Sequence, residues 1–196
     1  MEYENEALYV TLPEMLEFRE EKAFLQNQLL REAAGKKERG GTEQRDENQA
    51  AVISLGMNIP GPVKSGPSVY GAFLEGCRCV ETAVAEAGGK VEQAEVLEKK
   101  SGYAAVYLVA GVDRTDLKKS AVKLEETHPL GRLFDIDVFD EEGSPMIREL
   151  VGAGRRKCLL CGKDAKECGR SRTHSVEELQ KKVFEIIGSW KAGGAG

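Results

Sequence analysis

Residues Arg132 to Asp140 read RLFDIDVFD, an alternation that sets Phe134, Ile136 and Val138 on one strand face and Asp135 and Asp137 on the other. Upstream, Asp113 to Thr127 (DRTDLKKSAVKLEET) has helical spacing, with Asp113 placed as its N-cap. Before that come two β-leaning runs, Val91 to Glu98 and Tyr103 to Val109, joined by the hairpin-like Lys99 to Gly102 (KKSG). Ser68 to Ala87 carries Val69, Phe73, Leu74, Cys77, Val80 and Val84 at helical steps and stops at Gly88-Gly89. Ala51 to Met57 (AVISLGM) is a short apolar strand, closed by the Pro-Gly-Pro turn of Asn58 to Lys64 (NIPGPVK).

The order is therefore β-α-β-β-α-β, and the class α+β. This is the ferredoxin-like, split β-α-β pattern, in which the first and last strands pair antiparallel; an interrupted nucleotidyltransferase-like sheet is the alternative. In the first arrangement Asn58 to Lys64 faces Gly131 and Arg132, two glycine-containing basic segments suited to close approach of an anion.

Outside this core, Thr11 to Glu32 repeats Leu12, Met15, Leu16, Phe24, Leu25, Leu29 and Leu30 at helical spacing behind a Thr11 cap. Gly35 to Gln49 has only charge, glycine, threonine and amide groups and cannot bury a face. The expected organisation is an N-terminal helix packing on the core (1–34), a polar linker (35–50) and an α+β catalytic core (51–150). A basic Cys/His-rich segment with a terminal helix (151–190) and a disordered tail (191–196) complete it.

The 196 residues hold 28 Lys and Arg against 33 Asp and Glu, a net charge of −5, which argues against a nucleic-acid binder because phosphate neutralisation needs a basic surplus. No apolar run reaches the roughly 18 residues needed to span a bilayer, and MEYENE is unlike a basic signal-peptide start. A cytoplasmic protein without a membrane partner is expected. Five cysteines in such a chain favour metal ligation or free thiols over disulfides.

Two features could carry chemistry. Asp135 and Asp137 project from one strand face about 7 Å apart, and such a pair repels unless a cation lies between. Mg²⁺ bound to a polyphosphate answers that need, since it takes one or two carboxylates plus phosphate oxygens. The plainer reading is a solvated edge strand. His128-Pro129-Leu130-Gly131-Arg132 delivers a fixed cation three residues before Asp135, Lys64 adds a second, and His128 could act as a base.

The second feature is Cys158-x₂-Cys161-x₆-Cys168-x₅-His174, either a Cys₃His zinc set or free cysteines lining a site. Around it Arg155, Arg156, Lys157, Lys163, Lys166, Arg170 and Arg172 make a basic surface for an anion or an acidic partner. Cys77 and Cys79 lie within the second helix as packing residues.

Four blocks, taken in order, resemble the holo-citrate lyase synthases, the apo-citrate lyase phosphoribosyl-dephospho-CoA transferases. They are Arg19 with Gln26; Ile59-Pro60-Gly61-Pro62-Val63-Lys64; Glu125 with His128-Pro129-Leu130-Gly131-Arg132-Leu133-Phe134-Asp135-Ile136-Asp137-Val138; and Arg156 with Cys158-Leu159-Leu160-Cys161, Cys168, Arg170 and His174. The polar Gly35 to Asn48 joint looks longer than the family's, and Lys22 stands where members often carry Arg.

The resemblance implies a nucleotidyltransferase-type enzyme that moves phosphoribosyl-dephospho-CoA from its 5″-triphosphoribosyl donor to a serine of the citrate lyase acyl carrier protein subunit, releasing pyrophosphate. It implies Glu125 as a third catalytic carboxylate and Arg19 beside Lys64, Arg132 and His128 at the donor. Arg155, Arg156 and Arg170 would then face the carrier. A zinc-binding interaction module without activity, and a thiol or redox enzyme, are the rival classes.

Overall fold

The computed structural model describes residues 8–39, 50–140 and 142–193. Four strands, β1 (Ala50–Met57), β2 (Lys90–Lys99), β3 (Gly102–Ala110) and β4 (Phe134–Val138), form one sheet of order β2-β3-β1-β4 in which every neighbouring pair is antiparallel. The first and last strands lie side by side as expected, from Ile53 opposite Val138 to Met57 opposite Phe134. Among the described residues five α-helices accompany it: α1 (Leu12–Arg39), α2 (Pro67–Glu86), α3 (Arg114–Thr127), α4 (Ala165–Ser171) and α5 (Val176–Gly193). Among the described residues no helix is long and apolar enough to cross a membrane.

Alternation along the strands builds two apolar layers. Ile53 and Leu55 of β1, Tyr107 and Val109 of β3, and Phe134, Ile136 and Val138 of β4 turn to one side, where α2, α3 and α5 bring Phe73, Val80, Leu117, Ala121, Val183 and Ile187. On the opposite face Val52, Val106 and Leu108 meet Leu29 and Ala33 of α1. Burying one such side chain stabilises by about 1.5–3 kcal/mol, so both layers are substantial.

Local chemistry sets the helix starts. Thr11 Oγ accepts from the Glu14 amide while the Glu14 carboxylate accepts from the Thr11 amide, a reciprocal capping box. These contacts, with Lys100 at 3.0 Å, hold the Glu14 carboxyl down to about 2. Asp113 caps α3 by accepting from the amides of Thr115 and Asp116. The lysines of the β2–β3 turn then fix α1 on the sheet: Lys99 pairs with Glu17 and Glu21, and Lys100 with Glu14.

Several boundaries differ from the sequence expectation. α1 continues to Arg39, through residues assigned to the linker, because Lys, Glu and Arg tolerate a solvated helix. The rest of the expected linker before Ala50 lies outside the described residues, as do the last three of the expected tail, whose first three residues end α5. Leu12, Leu16 and Phe24 stay exposed. At about 100° per residue Leu16 and Phe24 lie roughly 140° round the helix from the buried Leu29, beyond the reach of the sheet. Arg132 falls in a 3₁₀ turn, Gly131–Leu133, rather than in the strand.

The two loops expected to meet do so, for the Asn58 amide donates to the Leu133 carbonyl at 2.7 Å. Their glycines answer to protein neighbours. A Cβ at Gly131 would stand 2.2 Å from the Leu124 carbonyl oxygen, and one at Gly61 would strike Gln180 and Val176 of α5. Gly131→Ala should therefore cost about 1–3 kcal/mol through overpacking, visible as a lower denaturant midpoint with an unchanged slope.

Candidate active site

β4 is an edge strand, and its outward backbone groups would stand unpaired without help from elsewhere. Side chains supply it. Glu125 of α3 accepts from the Ile136 amide at 3.0 Å, Lys118 donates to the Ile136 carbonyl at 3.5 Å, and Arg156 donates to the Phe134 carbonyl. The Met146 amide donates to the Val138 carbonyl at 2.8 Å as the chain doubles back.

Along this edge runs a cleft of about 750 Å³. Asp135, Asp137 and Glu125 line it with Lys118, Arg148, Arg155, Arg156, Lys166 and Arg170. Glu149, Asp164 and Glu167 line it as well, so six acids and six cations converge on one hollow of a chain that is acidic overall.

Asp135 is about half exposed and accepts from Arg156 Nη1 at 3.1 Å. Asp137 is half-buried, and burial followed by the charge of Asp135 raises its carboxyl above the usual range, against the pull of Lys22, Lys118 and Arg156. The expected alternation holds, with Phe134, Ile136 and Val138 packed inward and the two carboxylates turned away from that core. Lys22 Nζ would lie 3.2 Å from a Cβ on Gly56, the β1 residue opposite Asp135, so the small residue leaves room for this cation beside the pair.

Glu125, expected as a third catalytic carboxylate, is held in contacts with the protein itself. Its side chain is 7% exposed; one oxygen holds the Ile136 amide and the other pairs with Arg148 at 3.2 Å. Burial raises its carboxyl despite Arg156, the Ile136 amide and Arg148. With both oxygens committed, its structural work is to tie α3 to the edge strand.

The remaining site candidates separate into places. Arg132 donates to the Lys157 carbonyl, and burial, then the charges of Arg156 and Arg148, lower its pKa; those two neighbours are themselves paired with Asp135 and Glu125. His128 packs on the far side of Phe134, ring centroids 5.3 Å apart, with Nε2 3.3 Å from Glu75 and Nδ1 accepting from the Leu130 amide. Lys64 donates to the Ile59 carbonyl of its own loop, and burial, then the nearby Arg19 charge, lower its pKa. Arg19 and Lys64 thus form a pair apart from the residues lining the cleft, and His128 faces α2.

Cys158, Cys161, Cys168 and His174 come together with their ligand atoms all within 4.8 Å of one another, a set that could hold a metal such as zinc. Cys161 and Cys168 Sγ are 3.4 Å apart, and the Cys168 thiol is pushed up to about 11 by Cys161 and by burial. Burial acts to raise the Cys158 thiol, yet the amides of Cys161 and Leu160 and the neighbouring thiols hold it below its ordinary value. α4, which sequence periodicity did not announce, carries Cys168 and Arg170 and is capped by Asp164.

Lys118 and Arg148 of the cleft escaped sequence reasoning. Lys118 and Glu125 are seven apart on α3, with the buried Ala121 and Val122 between them, so both charges sit on the apolar stripe. That violation of the helical pattern was the available signal. Arg148 follows β4 in a polar stretch without period, where no such signal exists.

The sequence matches the family of apo-citrate lyase phosphoribosyl-dephospho-CoA transferases over residues 10–190. A Streptococcus pyogenes serotype M18 protein named as a probable transferase of this kind is 35% identical over 184 residues, 92% of this chain and 87% of the relative. One from Vibrio cholerae serotype O1 (strain M66-2), named likewise, is 36% identical over 135 residues, 69% of this chain and 76% of the relative.

The chain belongs to this family.

For a member of the apo-citrate lyase phosphoribosyl-dephospho-CoA transferases, the cleft beside β4 supplies an acid pair ringed by cations. Lys118 is the sharpest test of what the ring does. Burial, the largest influence, lowers its pKa, and Asp137 and Glu125 only partly oppose this. Lys118→Met keeps the stem and removes a charge that is costly to bury, so the melting temperature should hold or rise. If that ammonium contacts phosphate in the reaction, kcat/KM should fall by roughly 10- to 100-fold, about 1.5–3 kcal/mol. A fall in stability with an unchanged rate would make Lys118 a purely structural partner of Ile136.

Proposed function

We propose that this chain transfers phosphoribosyl-dephospho-CoA from a 5″-triphosphoribosyl donor to a serine hydroxyl of the citrate lyase acyl carrier protein subunit, with release of pyrophosphate. The observation that carries the reading is the cleft in which Asp135 and Asp137 meet Lys118, Arg148, Arg155, Arg156, Lys166 and Arg170. The βαββαβ order with β1 between β3 and β4 supports a ferredoxin-like core, on which nucleotidyltransferase-type chemistry would occupy the edge strand.

In the reaction the serine oxygen bonds to the phosphorus nearest the ribose. The bond from that phosphorus to the bridging oxygen breaks, and pyrophosphate leaves with the electron pair. The hydroxyl proton departs from the serine oxygen. The nucleophile belongs to the carrier, so this chain supplies position and charge, the dominant contributions to such transfers.

Asp135 and Asp137 suit Mg²⁺, being two carboxylates on one face, with Asp137 raised first by burial and then by the charge of Asp135. When bound there, Mg²⁺ would neutralise phosphate charge at the reacting centre. Arg156, Arg148 and Lys118 would hold the triphosphate oxygens, Arg156 exchanging its contact with Asp135 for one with phosphate. Arg155 and Arg170, at the outer part of the cleft, would meet the acidic carrier. An inactive zinc module leaves the acid pair and the buried Lys118 without a role.

The test is pyrophosphate release. The full chain with donor, Mg²⁺ and apo-carrier should liberate one pyrophosphate per carrier, and none when carrier is omitted. Release without carrier, or no release with it, would set this reading aside.

A further inference from the structure

We propose that Cys158, Cys161, Cys168 and His174 bind one zinc ion per chain, and that this ion acts as a clamp holding Arg156 and the Arg132 partner Lys157 against the edge of β4. The positioning half rests on the transferase reading above; the metal half does not.

The donor set fits the ion. Tetrahedral zinc with Zn–S bonds near 2.3 Å places sulfurs about 3.8 Å apart, and here Cys161 and Cys168 stand 3.4 Å apart with all four donors within 4.8 Å. A second observation points the same way: His174 Nε2 is enclosed and has no hydrogen-bond partner, as an imidazole nitrogen directed at an ion would be. Three thiolates and one imidazole close the coordination sphere, so the site is structural and takes no substrate.

The backbone around the cluster has the form of a clip. Lys157 bridges to Asp164, Cys158 exchanges backbone contacts with Lys163 and Gly162, and α4 runs from Asp164 to present Cys168. Arg172 then takes a left-handed conformation, φ 48°, which turns the chain so that His174 returns to the cysteines. Leu160, Cys161 and Gly162 at the tip are exposed, so apolar burial alone gives this clip little stability.

The clip joins directly to the cleft. The residue before it, Arg156, bonds through its backbone to Ala165 and through its guanidinium to Asp135 and the Phe134 carbonyl. Lys157 offers its carbonyl to Arg132. Freeing the clip frees both guanidiniums from these positions.

The experiment uses the full chain as isolated. Elemental analysis should give one zinc per chain, and replacement by Co²⁺ should give the intense absorption of tetrahedral cobalt with thiolate ligands. His174→Ala should weaken metal binding by at least about tenfold while His174→Cys retains it, a control against simple misfolding. Magnesium pyrophosphate is the probe for positioning: its affinity, by calorimetry, should fall about tenfold on zinc removal and recover on zinc return, and Arg156→Ala should show the same loss with no further effect of zinc removal. Absence of zinc, or a Cys161–Cys168 disulfide with pyrophosphate binding intact, overturns the metal half. Zinc present but pyrophosphate affinity indifferent to its removal overturns the clamp. Zinc present with pyrophosphate bound in neither state sustains the metal half and counts against the transferase reading instead.

Discussion

Asp137→Asn and Asp135→Asn should each lower transfer by roughly 10³-fold, the scale of losing a principal charge-stabilising contact at a reacting phosphate, while leaving the fold intact. Both side chains turn away from the core formed by Phe134, Ile136 and Val138, so an isosteric amide disturbs no packing. At Asp137 burial already disfavours the carboxylate, and Asn relieves that strain on the fold. At Asp135 the loss of a half-exposed ion pair with Arg156 is worth at most about 1 kcal/mol. Thermal melting and single-turnover rates measured on the same samples separate the two effects. Near-full rates in both variants would remove the acid pair from the mechanism.

Glu125→Ala should cost about 1–3 kcal/mol of stability, because it leaves the buried Ile136 amide without its acceptor and Arg148 with Glu126 as its remaining partner. Glu125→Gln keeps an oxygen for the amide and loses the charge, so its cost should be intermediate. Denaturant midpoints measure both. The family resemblance implies a catalytic carboxylate here: a Gln variant with wild-type stability and lost transfer would support that role.

Much of the fold was legible because its signals are local. The alternation of residues 134–138, the Asp113 cap and the Thr11 cap each fix a conformation within a few residues, and the structure contains all three. What failed to show depends on distant neighbours. Gly131 is glycine because α3 carbonyls crowd it, not because an anion approaches, and only the packed structure reveals those carbonyls. Lys64 is drawn to its own loop, and His128 to α2, by contacts that spacing does not encode. The acid pair and the Cys/His set were readable since each lies within a short stretch, whereas Arg148 reaches the cleft through an irregular return of the chain. Lys118 was readable in principle, as a charge on an apolar helical stripe.

The cleft also explains why an acidic chain can handle a polyphosphate. Its six cations are gathered from α3, from the return after β4 and from α4, and they balance the six acids of its lining, so the cleft is formally neutral in a chain of net charge −5. Local field rather than net charge decides what binds.

The central claim is tested most directly by the intact mass of the apo-carrier after incubation with this chain, donor and Mg²⁺. The account predicts a shift equal to one phosphoribosyl-dephospho-CoA unit on a serine, abolished in a carrier lacking that serine and in the Asp137→Asn enzyme. An unmodified carrier with the wild-type enzyme, or full modification by Asp137→Asn, would contradict it.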